Sequence, residues 1–152
     1  MQKTYEIQDR FIEPGDASGL LYEPLSDSAT FVSTRRYHLE FKGHEAAADE
    51  FVRDTLLDPI SQSLSLGEGD AVEGASFVLE YGMKPGALDL EKEAILAHFA
   101  GIEEPGWSLT GLTIQQRIYL FDTPPESADR FVRDICNAAI HHWTVIPAAD
   151  HA

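Results

Sequence analysis

Apolar residues along the chain recur with two periods, and the alternation between them lays out the elements. Residues 5–12, 30–41, 60–66, 75–81, 107–121 and 140–146 are runs of strand-forming residues; 30–41, rich in β-branched and aromatic side chains, and 107–121 are the longest. Between them lie segments of helical period. Residues 44–57 place Ala48, Phe51, Val52, Thr55 and Leu56 on one face. Residues 88–102 bring Ile95, Phe99 and Ile102 together. A third helix from Ser127 to about residue 139 presents Ala128, Phe131, Val132, Ile135, Cys136 and Ala139.

The punctuation agrees with this layout. Asp58-Pro59 ends the first helix, because a residue before proline disfavours the helical region. Asp89 and Glu91 suit the positive end of the second helix, and Gly101 is placed to cap its far end. Pro124 and Pro125 break the chain, and Ser127 is placed to cap the third helix. Residues 67–74, Gly-Glu-Gly-Asp-Ala-Val-Glu-Gly, read as a flexible linker, and 148–152 as a tail.

The helices carry a repeat. Residues 48–54 read Ala-Asp-Glu-Phe-Val-Arg-Asp and residues 128–134 read Ala-Asp-Arg-Phe-Val-Arg-Asp, with Phe51 and Phe131 eighty residues apart. The same offset relates Phe41 to Phe121, each ending a strand-like run, and Ile60 to Ile140. Upstream, Ile12-Glu13-Pro14-Gly15 echoes Met83-Lys84-Pro85-Gly86 at an offset of 71, so the first copy lacks about nine residues after its turn. One helix is therefore reduced in that copy. The expected fold is α+β: copies spanning 1–66 and 75–147, each strand, helix, strand, helix, strand. A single copy leaves an apolar sheet face exposed and is marginal alone. Two copies burying those faces against each other predict a pseudo-twofold sandwich with the helices outside.

Charge narrows the function. The 152 residues carry 26 Asp and Glu against 11 Lys and Arg, a formal net charge of −15. Such a surface repels phosphate backbones and anionic membranes, which argues against nucleic acid and membrane partners. The first residues are polar, and no run approaches the length of a membrane helix, so a cytoplasmic chain is expected. Cys136, the one cysteine, lies within an apolar stripe and reads as a small buried hydrophobe.

Catalytic constellations are absent from the sequence: it has no phosphate-binding glycine loop, Gly-x-Ser-x-Gly elbow or Cys-x-x-Cys. Adjacent His141 and His142 point to opposite faces of a strand and make a poor metal pair. No catalytic residue, metal or cofactor is expected. The turn Lys84-Pro85-Gly86, with Asp89 three residues on, is the candidate site. Proline fixes φ, glycine permits positive φ, and Lys84 is a rare cation in an acidic chain. It suits an anion or a partner carboxylate.

Residues 77–89, Phe-Val-Leu-Glu-Tyr-Gly-Met-Lys-Pro-Gly-Ala-Leu-Asp, followed by Glu93-Ala94-Ile95, resemble the start of the PurS family. Residues 114–121, 126–139 and 140–146 supply the second strand, acidic helix and final strand of that pattern in order. Residues 57–62, Leu-Asp-Pro-Ile-Ser-Gln, resemble the junction in the fused PurS-like tandems that open some large single-chain synthases. The first copy departs from the pattern in its short first helix and in Glu13, which replaces Lys84. The resemblance implies a non-catalytic component of phosphoribosylformylglycinamidine synthase in purine biosynthesis. Its partners would be the synthetase and glutaminase components, between whose sites ammonia passes. Ordinary members dimerise, so a homo-oligomer is a further possibility. The alternatives are a small-molecule-binding two-repeat domain and a small cofactor-free ferredoxin-like enzyme using His38 or His98.

Overall fold

The computed structural model describes residues 1–10, 13–25, 28–67, 69 and 71–148. The expectations that touch Ile12, residues 68 and 70, and residues 149–152 lie outside them. Among the described residues seven strands form one antiparallel sheet: β1 (Gln2–Asp9), β2 (Gly15–Asp16), β3 (Thr30–Lys42), β4 (Gln62–Leu66), β5 (Phe77–Met83), β6 (Ser108–Phe121) and β7 (His141–Pro147). Their order is β4-β1-β3-β6-β5-β7, with β2 added beside β3. Three helices join them: α1 (Glu45–Thr55), α2 (Leu90–Ala100) and α3 (Ala128–Ile135).

The expected sandwich is replaced by a continuous sheet. β3 and β6 pair along their whole length, from Thr30 opposite Phe121 to Lys42 opposite Ser108. The halves therefore join edge to edge through ladder hydrogen bonds. This leaves β3 and β6 with no free edge along their junction, which facing sheets would have exposed.

The helices lie on one face. α1 and α2 cover Tyr5, Ile7, Tyr37, Leu39, Phe41, Leu112 and Ile114. Phe51 of α1 packs edge-on against Phe99 of α2, with ring centroids 5.6 Å apart. α3, with the 3-10 turn Ala17–Leu20, covers Phe77, Leu79, Ile118 and Leu120. That single turn stands where the first copy was expected to hold a reduced helix. Phe131 is fully buried and meets Phe77 at 6.0 Å.

Several boundaries differ from the sequence reading. α2 begins at Leu90 because Asp89 is its N-cap, accepting from the Lys92 amide at 3.0 Å. Ile102, expected in the core, falls past the Gly101 cap and stays exposed. α3 stops at Ile135. Cys136 turns extended, and the Asn137 amide donates to His141 Nδ1 at 2.9 Å. Ser127 stands at the N-cap of α3 as expected, but its hydroxyl makes no capping bond and donates to the Pro124 carbonyl instead. The offset of eighty that relates the helices also fails in the strands. Phe41 is buried under α1, while Phe121 packs on the opposite face with Val78, Tyr119 and Ile146. A slip of one residue exchanges the faces of a strand, so Phe41 and Phe121 are not structural counterparts.

Candidate partner-binding site

The candidate turn lies at the end of β5. The Lys84 amide donates to the Ile140 carbonyl at 2.8 Å, and the Ala87 amide closes the turn on the Lys84 carbonyl at 3.0 Å. Pro85 stands second, and Gly86 third with φ at +88°, the type II arrangement that needs glycine there. Lys84, Pro85 and Gly86 are exposed, and Asp89 is half-buried by its capping bond. Leu88 and Leu90 beside them are 67% and 72% exposed. The turn thus joins a cation to exposed apolar groups on rigid backbone.

A concavity of about 290 Å³ lies between this turn and β6, lined by Lys84, Lys92, Thr113 and His142 among others. The other Pro-Gly turn has a smaller one of about 230 Å³, between Glu13, Gly15 and the stretch Phe31, Val32, Ser33.

The face away from the helices holds a charge cluster that the sequence reading missed. Glu6 is 1% exposed and accepts from Thr34 Oγ1 at 2.7 Å. Arg36 reaches it at 2.9 Å and Arg117 at 3.2 Å, and the Tyr119 hydroxyl donates to its other oxygen. Arg117 also lies 2.9 Å from Glu80. A buried charge is tolerable only when paired and hydrogen-bonded, and here two carboxylates balance two guanidiniums. Burial first, then the bond to Glu6, pushes the Tyr119 phenol well above its ordinary value, so it stays a donor. The linker closes over the cluster: Arg36 donates to the Gly69 carbonyl at 2.6 Å, and the Ala71 amide donates to the Tyr119 hydroxyl at 3.3 Å.

A groove of about 630 Å³ crosses the helix side of the sheet, lined by Arg35, Tyr37, Glu91, His98 and Gln116 among others. Arg35 and the Tyr37 hydroxyl both donate to Glu91 at 2.8 Å. Burial, with the Glu91 carboxylate, pushes the Tyr37 phenol up to about 12.

Among the described residues the histidines do not assemble. His38 sits between Thr4 Oγ1, at 2.8 Å, and Gln115 Oε1, at 3.1 Å, as a cross-strand residue. His98 is exposed. His141 meets Tyr81 edge-on, with ring centroids 5.3 Å apart, on the helix side. Among the described residues no three metal-ligating side chains gather, and no helix is long and apolar enough to cross a membrane. Comparison with protein-family models, with curated proteins and with solved structures finds no match.

Proposed function

We propose that this chain is a tandem of two PurS-like copies, residues 1–66 and 75–147. In this reading it serves in the cytoplasm as a non-catalytic assembly component of phosphoribosylformylglycinamidine synthase. One observation carries the reading. The cross-strand pair Glu6–Arg36 of β1 and β3 recurs as Glu80–Arg117 of β5 and β6. The order β4-β1-β3 from one edge mirrors β7-β5-β6 from the other. In this reading β3 corresponds to β6 at an offset of 81, one more than the helices, and β1 to β5 at 74, and a pseudo-twofold axis would pass where Arg35 lies opposite Gln116. One chain would supply what a dimer of separate copies supplies.

The partners in this reading are the synthetase and glutaminase components, held through a surface that includes Lys84, Pro85, Gly86 and Asp89. The exposed cation beside exposed Leu88 and Leu90 supports that assignment. The test is reconstitution of glutamine-dependent activity from the chain and the two components at limiting concentration. Lys84→Glu should leave the melting curve of the chain unchanged and weaken reconstitution, most at low salt, where screening is least. Full activity with the variant removes the turn from the interface.

A second reading, a small-molecule-binding domain, is favoured by the groove over Arg35 and Gln116. Tyr37 and Glu91 there would orient a polar ligand. Reconstitution that is independent of the chain, together with a metabolite that raises its melting temperature, would select this reading.

A further inference from the structure

The two Pro-Gly turns differ in what fills the sheet edge beside them. In the first half, β2 pairs with β3: Gly15 lies opposite Phe31 and Asp16 opposite Thr30. At the strand offset of 81, the matching positions on β6 are Leu112 and Gly111. There the pairing of β5 with β6 ends at Gly82, opposite Gln115. Among the described residues no strand pairs with Gly111 or Leu112 on that edge.

The edge is oriented for pairing. The Leu120 carbonyl accepts from the Ser76 amide at 2.6 Å on the β5 side. Alternate residues of a strand present their N–H and C=O to the same side, so Leu112 aims its backbone groups at this edge. The concavity of about 290 Å³ lies directly against Leu112, Thr113 and Ile114. Thr113 is exposed beside it.

Charge selects the occupant. The concavity is walled by Lys84 and Lys92, two of the chain's four lysines. The ion pairs of the described residues include neither. Of the nearby carboxylates, Asp89 is engaged in capping α2, Glu40 lies against Gly111 from β3 and accepts from Gln2 Nε2 at 3.3 Å, and Glu93 is exposed. In the first half the strand that fills the matching position itself ends in an aspartate, Asp16.

We propose that the open edge of β6 at Gly111 and Leu112 receives a short extended segment of a partner protein bearing a carboxylate. The Leu112 backbone groups pair with the segment, and Lys84 and Lys92 meet its charge, in the strand-addition mode of peptide recognition. The proposal rests on reading this face as the partner-binding one and names the chemistry of what binds.

The test uses the whole chain, with amide exchange and ¹⁵N shifts read at Gly111, Leu112 and Thr113. The probe is an acetylated peptide alternating valine with aspartate, at millimolar concentration. Two controls replace aspartate by lysine or methylate the backbone nitrogens. The Leu112 amide should exchange quickly in the free chain and slow with the acidic peptide alone. The double change Lys84→Glu with Lys92→Glu should weaken that binding about fivefold or more, as one exposed and one half-buried charge pair allow. Lys84→Arg should retain it. A Leu112 amide already protected in the monomer, equal binding by either control, or no response to the acidic peptide each overturns the proposal. Protection that appears only as the free chain dimerises also overturns it, because the occupant is then a second copy. Reconstitution with the synthetase and glutaminase is scored separately. Normal reconstitution with a silent peptide therefore sinks the edge site and leaves the assembly reading standing.

Discussion

Tyr119 of β6 donates its phenolic hydrogen to Glu6 of β1, across the intervening strand β3 and 113 residues of chain. With Arg36 and Arg117 on the same carboxylate, this bond ties the middle strand of one half to the junction strand of the other. Glu6→Ala should therefore be among the most damaging single changes, by about 3–5 kcal/mol, because two buried guanidiniums lose their shared counter-charge. Tyr119→Phe should cost about 1–3 kcal/mol, leaving the carboxylate one donor short. Denaturant unfolding of both variants measures this, and equal, small losses would show that the cluster is solvated in solution.

Phe41 and Phe121 provide a register test. Phe41→Ala should cost about 3–5 kcal/mol, as expected of a buried aromatic packed beneath a helix. Phe121 is half-buried on the other face, so Phe121→Ala should cost less than half as much. Similar losses at both sites would restore them as counterparts and contradict the observed register.

Asp49 predicts a pH dependence. Lys3 lies 2.7 Å from its carboxylate and the Tyr5 hydroxyl 2.5 Å. Burial acts to raise its pKa, but the bonds from Lys3 and Tyr5 outweigh burial and hold it below the ordinary 3.8. A depressed folded value contributes stability that is fully present above the unfolded value and lost as pH falls through the folded one. Asp49→Asn should therefore destabilise by about 1 kcal/mol at neutral pH. The gap between variant and parent should narrow only as pH drops below about 4, near the unfolded carboxylate value. A gap that stays constant down to pH 2 would show that the carboxylate's charge contributes nothing.

Cys136 is half-buried, and burial raises its thiol above the ordinary value. Alkylation by iodoacetamide at pH 7.5 should be slower than for a free cysteine and should accelerate on unfolding. The thiolate is the nucleophile, and its population falls as the pKa rises. Alkylation as fast as that of free cysteine would mark an opened α3 terminus.

The elements were legible because their signals are local. The stripe Ala48, Phe51, Val52 and the exact recurrence of Phe-Val-Arg-Asp needed only neighbouring residues. What the sequence concealed depends on pairing. The end of α3 was misplaced because the apolar stripe continues through Cys136, whereas Asn137 folds back onto His141. The slip that separates Phe41 from Phe121 is invisible in a helix motif, since only strand register reveals it. The charge cluster draws Glu6, Arg36, Glu80 and Arg117 from four strands. Its one local trace was a charged residue in the middle of each of these strand-like runs.

The register at the junction bears on how such a chain could have arisen. Arg35 lies directly opposite Gln116, its own counterpart on the two-copy reading. In a symmetric pair of identical ancestors, whatever stood at that position faced itself, and an arginine would have met an arginine, an unfavourable pairing of like charges. Fusion lifts that constraint, because a covalent tether keeps unlike halves together at high local concentration. Each half would then be free to mutate where identity once forbade it, and on the two-copy reading Glu13 against Lys84 is a second place where the halves differ. On this view the segment crossing the sheet from β4 to β5 is what allowed one half to specialise while the other kept the scaffold.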